Sequence, residues 1–342
     1  MVMPRIVSLF SGAGGLDLGF HQAGFEVAFA VDRMSAAIET HRHNFPDTDS
    51  IAADLVTLTP SGVLKHLASV LKDGEAIGVI GGPPCQGFSR ANVKSVADDP
   101  RNMLPLLYLE IVEGLQKRYD VQFVLFENVM GIRDSKHSLT FRGILSRFED
   151  LGFKPNVAEH SALNFGVPQS RNRVVISGFK DATAGASFAP KHVSSAGLTV
   201  RSAIENLPEP TLFRRGLQPS QIVHHENHWT MRPLSKRFSA PDAVGPQPTR
   251  SFRRLAWDKP SPTVAYGHRE IHVHPNGKRR LSIFEAMLLQ GFPTSFVLKG
   301  TLSEQVEQIS NAVPPPLARS IAAAIVSALK KATPGEQDTR VA

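Results

Sequence analysis

Residues 5–20 read RIVSLFSGAGGLDLGF. The first part is a short apolar run of β type ending at Phe10, and LDLGFHQA (16–23) resumes at helical spacing, with Gly24 as its stop. Ser11, Gly12, Ala13, Gly14 and Gly15 lie between, where glycines allow a tight turn and close backbone approach to a ligand. A strand, a glycine turn and a helix open a wound α/β sheet, and the unit recurs along the chain. EVAFAVD (26–32) is a second strand, followed by a helix over MSAAIETHRHNF (34–45) that Pro46 stops. AIGVIGG (76–82), VQFVLFENV (121–129) and RVVISGF (173–179) are further apolar strands, with helices near 60–72, 103–118 and 138–151. The alternation predicts an α/β fold, doubly wound around a mostly parallel, Rossmann-like sheet. In such sheets ligands bind beyond the carboxyl ends of the strands.

Composition sets the outer limits. The chain has 342 residues, 42% of them hydrophobic and 20% charged, which suits a soluble protein with room for two domains. The longest apolar stretch, near 321–329, is too short to cross a bilayer, and the first residues do not form a secretory signal. One cysteine, Cys85, excludes a disulfide framework. A cytoplasmic location is therefore expected. After Lys180 the texture changes: residues 181–262 are rich in Pro, Ser, His and Arg with little periodicity. Residues 186–280 carry 15 Lys and Arg against 6 Asp and Glu, so the whole basic excess of a +7 chain lies there. Such a segment is either a solvated surface or a face that meets phosphate. Within it HHENHW (224–229) raises zinc, but without cysteines or a carboxylate motif surface or DNA-contacting histidines are the expectation. Regularity returns in RRLSIFEAMLLQGFP (279–293), an amphipathic helix stopped by Gly and Pro, and in a last helix over 317–331 before a polar tail expected to be disordered.

The chemistry-bearing residues fall at strand ends. The glycine turn does not complete a dinucleotide fingerprint, because Asp17 stands where the third glycine belongs, and an acid at a helix start repels pyrophosphate. This disfavours an oxidoreductase and suits a ligand without phosphates, such as S-adenosylmethionine. Asp32, ending the second strand, is placed to hold a ribose hydroxyl pair, or alternatively to cap the next helix. Asp54 repeats that logic more faintly. GGPPCQGFS (81–89) follows a buried strand and sets Cys85 in a stiff turn, where a thiolate favoured by a cation would be a nucleophile. Glu127-Asn128-Val129 puts a carboxylate at the end of another apolar strand, costly to bury unless partnered. Gln169-Ser170-Arg171-Asn172-Arg173 points Arg171 and Arg173 to the same side if extended.

FSGAGGLDLGF, GGPPCQGFS, ENV, QSRNR, RRLSIFEAMLLQGFP and QISNAVPPPLA resemble, in this order, the motifs of the cytosine-C5 DNA methyltransferases. The resemblance runs from Ile6 to about Ala324 and lapses only between QSRNR and RRLS, the family's variable target-recognition region, which here coincides with the basic segment. One departure is Ser310, where the last motif usually has Gly. The resemblance implies two domains, a catalytic one from 1–185 plus 308–342 and a recognition domain with hinge over 186–307. It implies that Cys85 attacks carbon 6 of a flipped cytosine, that Glu127 holds N3 and the exocyclic amine, and that Arg173 with Arg171 contacts the base carbonyl and orients Glu127. Phe10, Ser11, Gly12, Ala13, Gly14, Gly15, Leu16, Asp32, Asp54, Pro83 and Asn311 would form the cofactor pocket. That pocket would take S-adenosylmethionine, leaving S-adenosylhomocysteine, with no metal. Gln86, Ser89 and Thr263 would meet the DNA strand. Arg253, Arg254, Arg269 and His268 are candidates for groove contacts.

Double-stranded DNA is the implied partner, with no membrane, a monomeric state, and a cognate restriction endonuclease as a functional rather than physical associate. Because the motifs begin within ten residues of the start, no N-terminal regulatory domain is expected. Two other readings share these motifs: a transfer-RNA methylating branch, disfavoured by the long basic segment, and a DNA-binding relative that has lost catalysis, disfavoured by intact Cys85, Glu127 and Arg173.

Overall fold

In the computed structural model, residues 2–84, 103–231, 252–263 and 272–332 are described. The chain opens with β1 (Arg5–Leu9), α1 (Gly15–Gln22), β2 (Val27–Asp32), α2 (Ser35–Asn44), β3 (Asp49–Ala52), α3 (Leu55–Leu67) and β4 (Ala76–Gly81). It continues through α4 (Leu104–Gln116), β5 (Asp120–Val129), α5 (Ser138–Asp150), β6 (Asn156–Ser161), β7 (Gln169–Ser170) and β8 (Asn172–Phe179). Seven strands form one sheet in the order β3-β2-β1-β4-β5-β8-β6. All pairs among the first five are parallel; β8 runs antiparallel to both β5 and β6. The strand order reverses between β1 and β4, which opens the crevice where such folds bind ligands.

The apolar runs are continuous because both faces are covered. Alternate residues of one strand enter different cores. Val7 and Leu9 pack with Phe29, Val79, Val124 and Phe126 under α3, α4 and α5. Ile6 packs with Val27, Ile80 and Leu125 against α1 and the C-terminal helix. Gly19 lets those two helices touch, since a Cβ there would lie 2.3 Å from the Ala318 Cβ.

Beyond the sheet come α6 (Ala182–Ser187), α7 (Val200–Ile204), β9 (Thr211–Leu212), β10 (Trp229–Thr230), β11 (Arg253–Arg254), β12 (Ser261–Pro262) and β13 (His272–Val273). The five strands are two residues each and pair locally, β9 with β10, β11 with β13, and β12 with β7. α8 (Ile283–Leu289), α9 (Leu302–Asn311) and α10 (Pro315–Ala332) close the fold. No single described helix is long and apolar enough to cross a membrane.

Three expectations shift. The helix in 279–293 is confined to α8, because Arg280 bridges Val273 and Ser282 caps the helix in a box with Glu285. The helix expected at 60–72 begins at Leu55, capped by Asp54, and breaks at Thr59 (φ 64°) before Pro60. Of the HHENHW histidines only His224 is exposed as expected; the other two are built into the fold. His228 is fully buried, bonding Ser282 Oγ and the Pro208 carbonyl, and His225 stacks on Phe284 at 4.1 Å. Asn227 bonds both backbone groups of Leu298, so the segment ties the irregular region to the helices behind it.

Candidate active site

The glycine turn leaves the end of β1 with Phe10 at φ 55° and Gly12 at φ 54°, and Gly14 (φ 87°) caps α1. Phe10 adopts a conformation that bulky residues avoid, so the surroundings impose it. Asp32 is one such constraint: Oδ2 accepts from Gly12 N at 3.0 Å and Oδ1 from Met34 N at 2.8 Å. It thus joins the turn to the start of α2. Burial raises its carboxyl above the usual range against those bonds. Gly14 and Gly15 are required sterically. A Cβ on Gly14 would lie 2.6 Å from the Phe45 ring, and one on Gly15 2.4 Å from the Val313 carbonyl. The second contact brings the turn after α9 against the glycine loop. That turn is braced by Gln290, whose Nε2 donates to the Ile309 and Ala312 carbonyls. Asn311 stands exposed at the end of α9. Asp54 is exposed and accepts from Val56 N.

This crevice fits S-adenosylmethionine. Among the described residues a Cβ at Gly12 would meet nothing within 4 Å and the buried Ser11 hydroxyl has no partner, which leaves room and an unmet polar group for a ligand at the turn. A carboxylate at the second strand end and a backbone cradle suit a cationic ligand with a ribose. Ala13 and Leu16 are buried behind the turn and shape it rather than face out.

The candidate catalytic residues expected from the sequence gather further along the same sheet edge. Glu127 is buried in β5, and Val129 pairs with Arg173 of β8. Opposed residues share a face, so Arg173 lies diagonal to Glu127. Its Nε is 2.7 Å from Glu127 Oε1, with the N–H not squarely aimed at the oxygen. The antiparallel direction of β8 is what brings its first residues to the carboxyl edge of the parallel strands. Burial pushes the Glu127 carboxyl up, while Arg173 and Arg171 pull it down. The sheet also fixes the approach to Cys85. Asn128 Nδ2 donates to the Pro83 carbonyl at 3.3 Å, and a Cβ on Gly82 would lie 3.0 Å from Glu127 Oε2. The chain therefore passes Glu127 three residues before the cysteine. Cys85 itself, Gln86 and Ser89 lie outside the described residues, as do His268 and Arg269.

Arg171 takes a different course from Arg173. It falls between β7 and β8, is fully buried, and Nη2 donates to the Ser310 carbonyl at 2.8 Å. Its Nε and Nη1 have no partner among the described residues. Burial and the Arg173 charge push its guanidinium well below the usual range, Glu127 opposing them. Gln169, two residues earlier, is also fully buried with both amide atoms unpartnered among the described residues. A row of unmet polar groups beside a carboxylate is costly unless a polar ligand meets it.

On the outer side, Ser170, Arg253, Pro260, Pro262 and Thr263 line an open cleft of about 510 Å³. Thr263 Oγ1 donates to the Ser170 carbonyl there, and β12 pairs with β7, so the irregular region is stitched to the arginine motif. Arg254 turns away: its Nε donates to the Pro275 carbonyl. Sequence reasoning did not single out Gly82, Gln169 or Ser170 as individual residues, although each stands inside a motif it quoted. Among the described residues no group of three or more His, Cys, Asp or Glu could hold a metal ion.

A crevice at the reversal of a doubly wound sheet, with a glycine cradle and an acid on the second strand, defines an S-adenosylmethionine-dependent methyltransferase. A crystal structure of a prophage-encoded DNA modification methyltransferase from E. coli superposes with a TM-score of 0.75 at 25% identity, covering 96% of this chain and 100% of that one. Among curated relatives, the type II methyltransferase M1.HphI of Haemophilus parahaemolyticus is 36% identical over 335 residues, 94% of this chain and 86% of its own. M.MthTI of Methanothermobacter thermautotrophicus is 32% identical over 93% of this chain and 95% of its own. The family model of C-5 cytosine-specific DNA methylases matches residues 4–327, and the chain belongs to that family. It is a DNA cytosine-5 methyltransferase that uses S-adenosylmethionine.

Proposed function

We propose that Cys85, Glu127, Arg173 and Arg171 carry the reaction on a flipped cytosine. The observation that supports this most is the β5 edge, where Asn128 holds the Pro83 carbonyl beside the Glu127–Arg173 pair. The Cys85 thiolate adds to carbon 6 while Glu127 supports N3 and the exocyclic amine with its proton. A carboxyl pushed up by burial is suited to hold that proton, and Arg173 keeps it oriented. Addition makes carbon 5 nucleophilic, and it takes the methyl group. Loss of the carbon-5 proton to a base and expulsion of the thiolate restore the aromatic ring. S-adenosylmethionine, when bound, supplies an electrophilic methyl on a sulfonium. Asp32 and the turn from Phe10 to Gly15 would hold its ribose and main chain, with Asp54, Pro83 and Asn311 completing the pocket. No metal is needed. The base must leave the duplex to reach this edge, and the cleft of Thr263 and Arg253 would take the flanking strand. Arg171 reaches both ways, its bond to Ser310 linking the base side to the cofactor side.

The catalytic unit is residues 1–185 with 308–342, and 186–307 recognises the target sequence. The type II names of the relatives support a modification role beside a restriction endonuclease. The protein acts as a cytoplasmic monomer on this reading.

The test is transfer of labelled methyl from S-adenosylmethionine to mixed duplex DNA, with transfer RNA alongside and Cys85→Ser as control. Label in DNA that disappears with the substitution is the expected result. Undiminished label in the Cys85→Ser protein, or label in RNA alone, would overturn the assignment.

A further inference from the structure

β9 and β10 run parallel, so both strands leave the pair at the same end. The residues emerging there are Leu212, Phe213, Arg214 and Arg215 from one strand and Met231 from the other. Leu212, Phe213 and Met231 are about two-fifths exposed, at 42%, 43% and 39%. Large apolar side chains clustered at a strand end gain nothing from water, so a contact surface is the economical explanation. Phe213 is not loose. Its ring lies against the buried Trp229, with centroids 5.3 Å apart and planes tilted by 35°, which braces it from behind.

Charge narrows the occupant. The described acids of this region are engaged elsewhere: Glu209 with Arg279, Glu226 with Lys299, and Glu205 and Asp258 both with Arg201. Arg214, Arg215 and Arg253 are exposed and form no ion pair among the described residues. Exposed arginines of the basic segment thus stand at this strand end and at the cleft. The two places are joined by contacts. Thr230 Oγ1 donates to the Leu281 carbonyl, and the neighbouring Arg280 guanidinium lies 5.2 Å from the Phe252 ring, next to Arg253 in the cleft.

We propose that this strand end is a duplex-reading element: Arg214 and Arg215 engage phosphates, and Phe213, flanked by Leu212 and Met231, packs against a base step of the target site. An aromatic braced from behind and flanked by unpaired arginines suits a polyanion with apolar base faces. A protein partner would favour carboxylates opposite those arginines and is the alternative outcome below. The inference rests on the DNA methylation reading but adds residues to it.

The experiment measures binding of the full-length protein to a duplex carrying its methylated site, as a function of salt, with thermal midpoint and S-adenosylmethionine binding recorded for each variant. Arg214→Gln with Arg215→Gln removes two phosphate contacts, so the slope of log K against log salt should flatten by about 1.8. Phe213→Ala should weaken the site by about tenfold at an unchanged slope and narrow the gap to single-mismatch sites. Phe213→Leu, which keeps apolar bulk on Trp229, should preserve the thermal midpoint yet lose part of the discrimination. Unchanged DNA affinity and slope in folded variants, with methylation intact, would overturn the inference while leaving the methyltransferase reading standing. The same holds if only protein association changes. Loss of all label in the wild type would instead count against the reading beneath it.

Discussion

Gly82→Ala places one methyl group beside the Glu127 carboxylate, to which the proposed mechanism gives the cytosine N3 and amine. The added Cβ would lie 3.0 Å from Glu127 Oε2 and 3.7 Å from the Glu127 carbonyl oxygen, with no other contact within 4 Å among the described residues beyond its chain neighbours. Gly82 does not sit at positive φ, so alanine fits the backbone. Carbon and carboxylate oxygen separate at about 3.4 Å in ordinary contact. Glu127 must therefore retreat by about 0.4 Å, or rotate, and its 2.7 Å contact with Arg173 limits where it can go. A misplacement of about 1 Å can cost a hundredfold in rate, so 0.4 Å scales to about sixfold. The fold loses little, since one carboxylate oxygen is all that moves. The assay pairs kcat for methyl transfer with the thermal midpoint and the KM for S-adenosylmethionine. The expected result is a kcat reduced between about threefold and thirtyfold, with the other two nearly unchanged. An unaltered kcat would refute the placement of Glu127 against the reacting base. A collapse of the midpoint would refute the packing argument.

Three further outcomes follow from the geometry. His272 is buried in β13 with its imidazole pushed down to about 4, so it stays neutral in the fold and charges first in the unfolded chain. Its contribution is complete above about pH 6.5 and is lost as pH falls toward 4, about 3 kcal/mol in total; urea midpoints measured over that window should fall with acid, and His272→Leu should flatten the fall. Glu285 is fully buried and takes both Arg279 Nη1 (2.9 Å) and Nη2 (2.8 Å), so Glu285→Ala leaves Nη2 of a buried guanidinium without its carboxylate while Glu209 still holds Nε, and should lower unfolding stability by about 2 kcal/mol in denaturant titration. Ser310→Gly should leave S-adenosylmethionine affinity within about twofold, measured by calorimetry, because the Ser310 hydroxyl bonds back to the Val306 carbonyl within its own helix and its backbone carbonyl, retained by glycine, is what Arg171 uses.

The strands of the central sheet were legible because they are buried on both faces and read as unbroken apolar runs. β3 and β6 were not, for a physical reason. They are the two edges of the sheet, half covered, and DSIA and NVAEHS carry polar residues where inner strands cannot. α9 was missed as well, since LSEQVEQISN is polar over most of its surface; its signal was the Thr301 and Glu304 capping box. In the site, Glu127 and Arg173 stood at strand ends as the sequence suggested. The alternate spacing that put Arg171 on the same side as Arg173 assumed an unbroken strand. The chain leaves β7 before Arg171 and enters β8 after it, and Arg171 turns to a carbonyl 139 residues later in the sequence. No local pattern encodes that partner. The HHENHW segment was misread in part for a related cause: its histidines look exposed by composition, and His224 is, yet His228 and Asn227 are buried against Ser282 and Leu298, more than fifty residues on.

The central claim is covalent attack by Cys85 on cytosine, and a trapped adduct tests it most directly. A randomised duplex library carrying fluorine at carbon 5 of cytosine allows addition and methyl transfer but leaves no proton to remove, so the enzyme stays bound to the base. With S-adenosylmethionine present, the account predicts a denaturation-stable complex at the summed mass of protein and DNA, absent in Cys85→Ser and much reduced in Glu127→Gln. Folded wild-type protein that methylates ordinary duplex DNA yet forms no adduct with the fluorinated library, or a Cys85→Ser protein that still forms one, would contradict it.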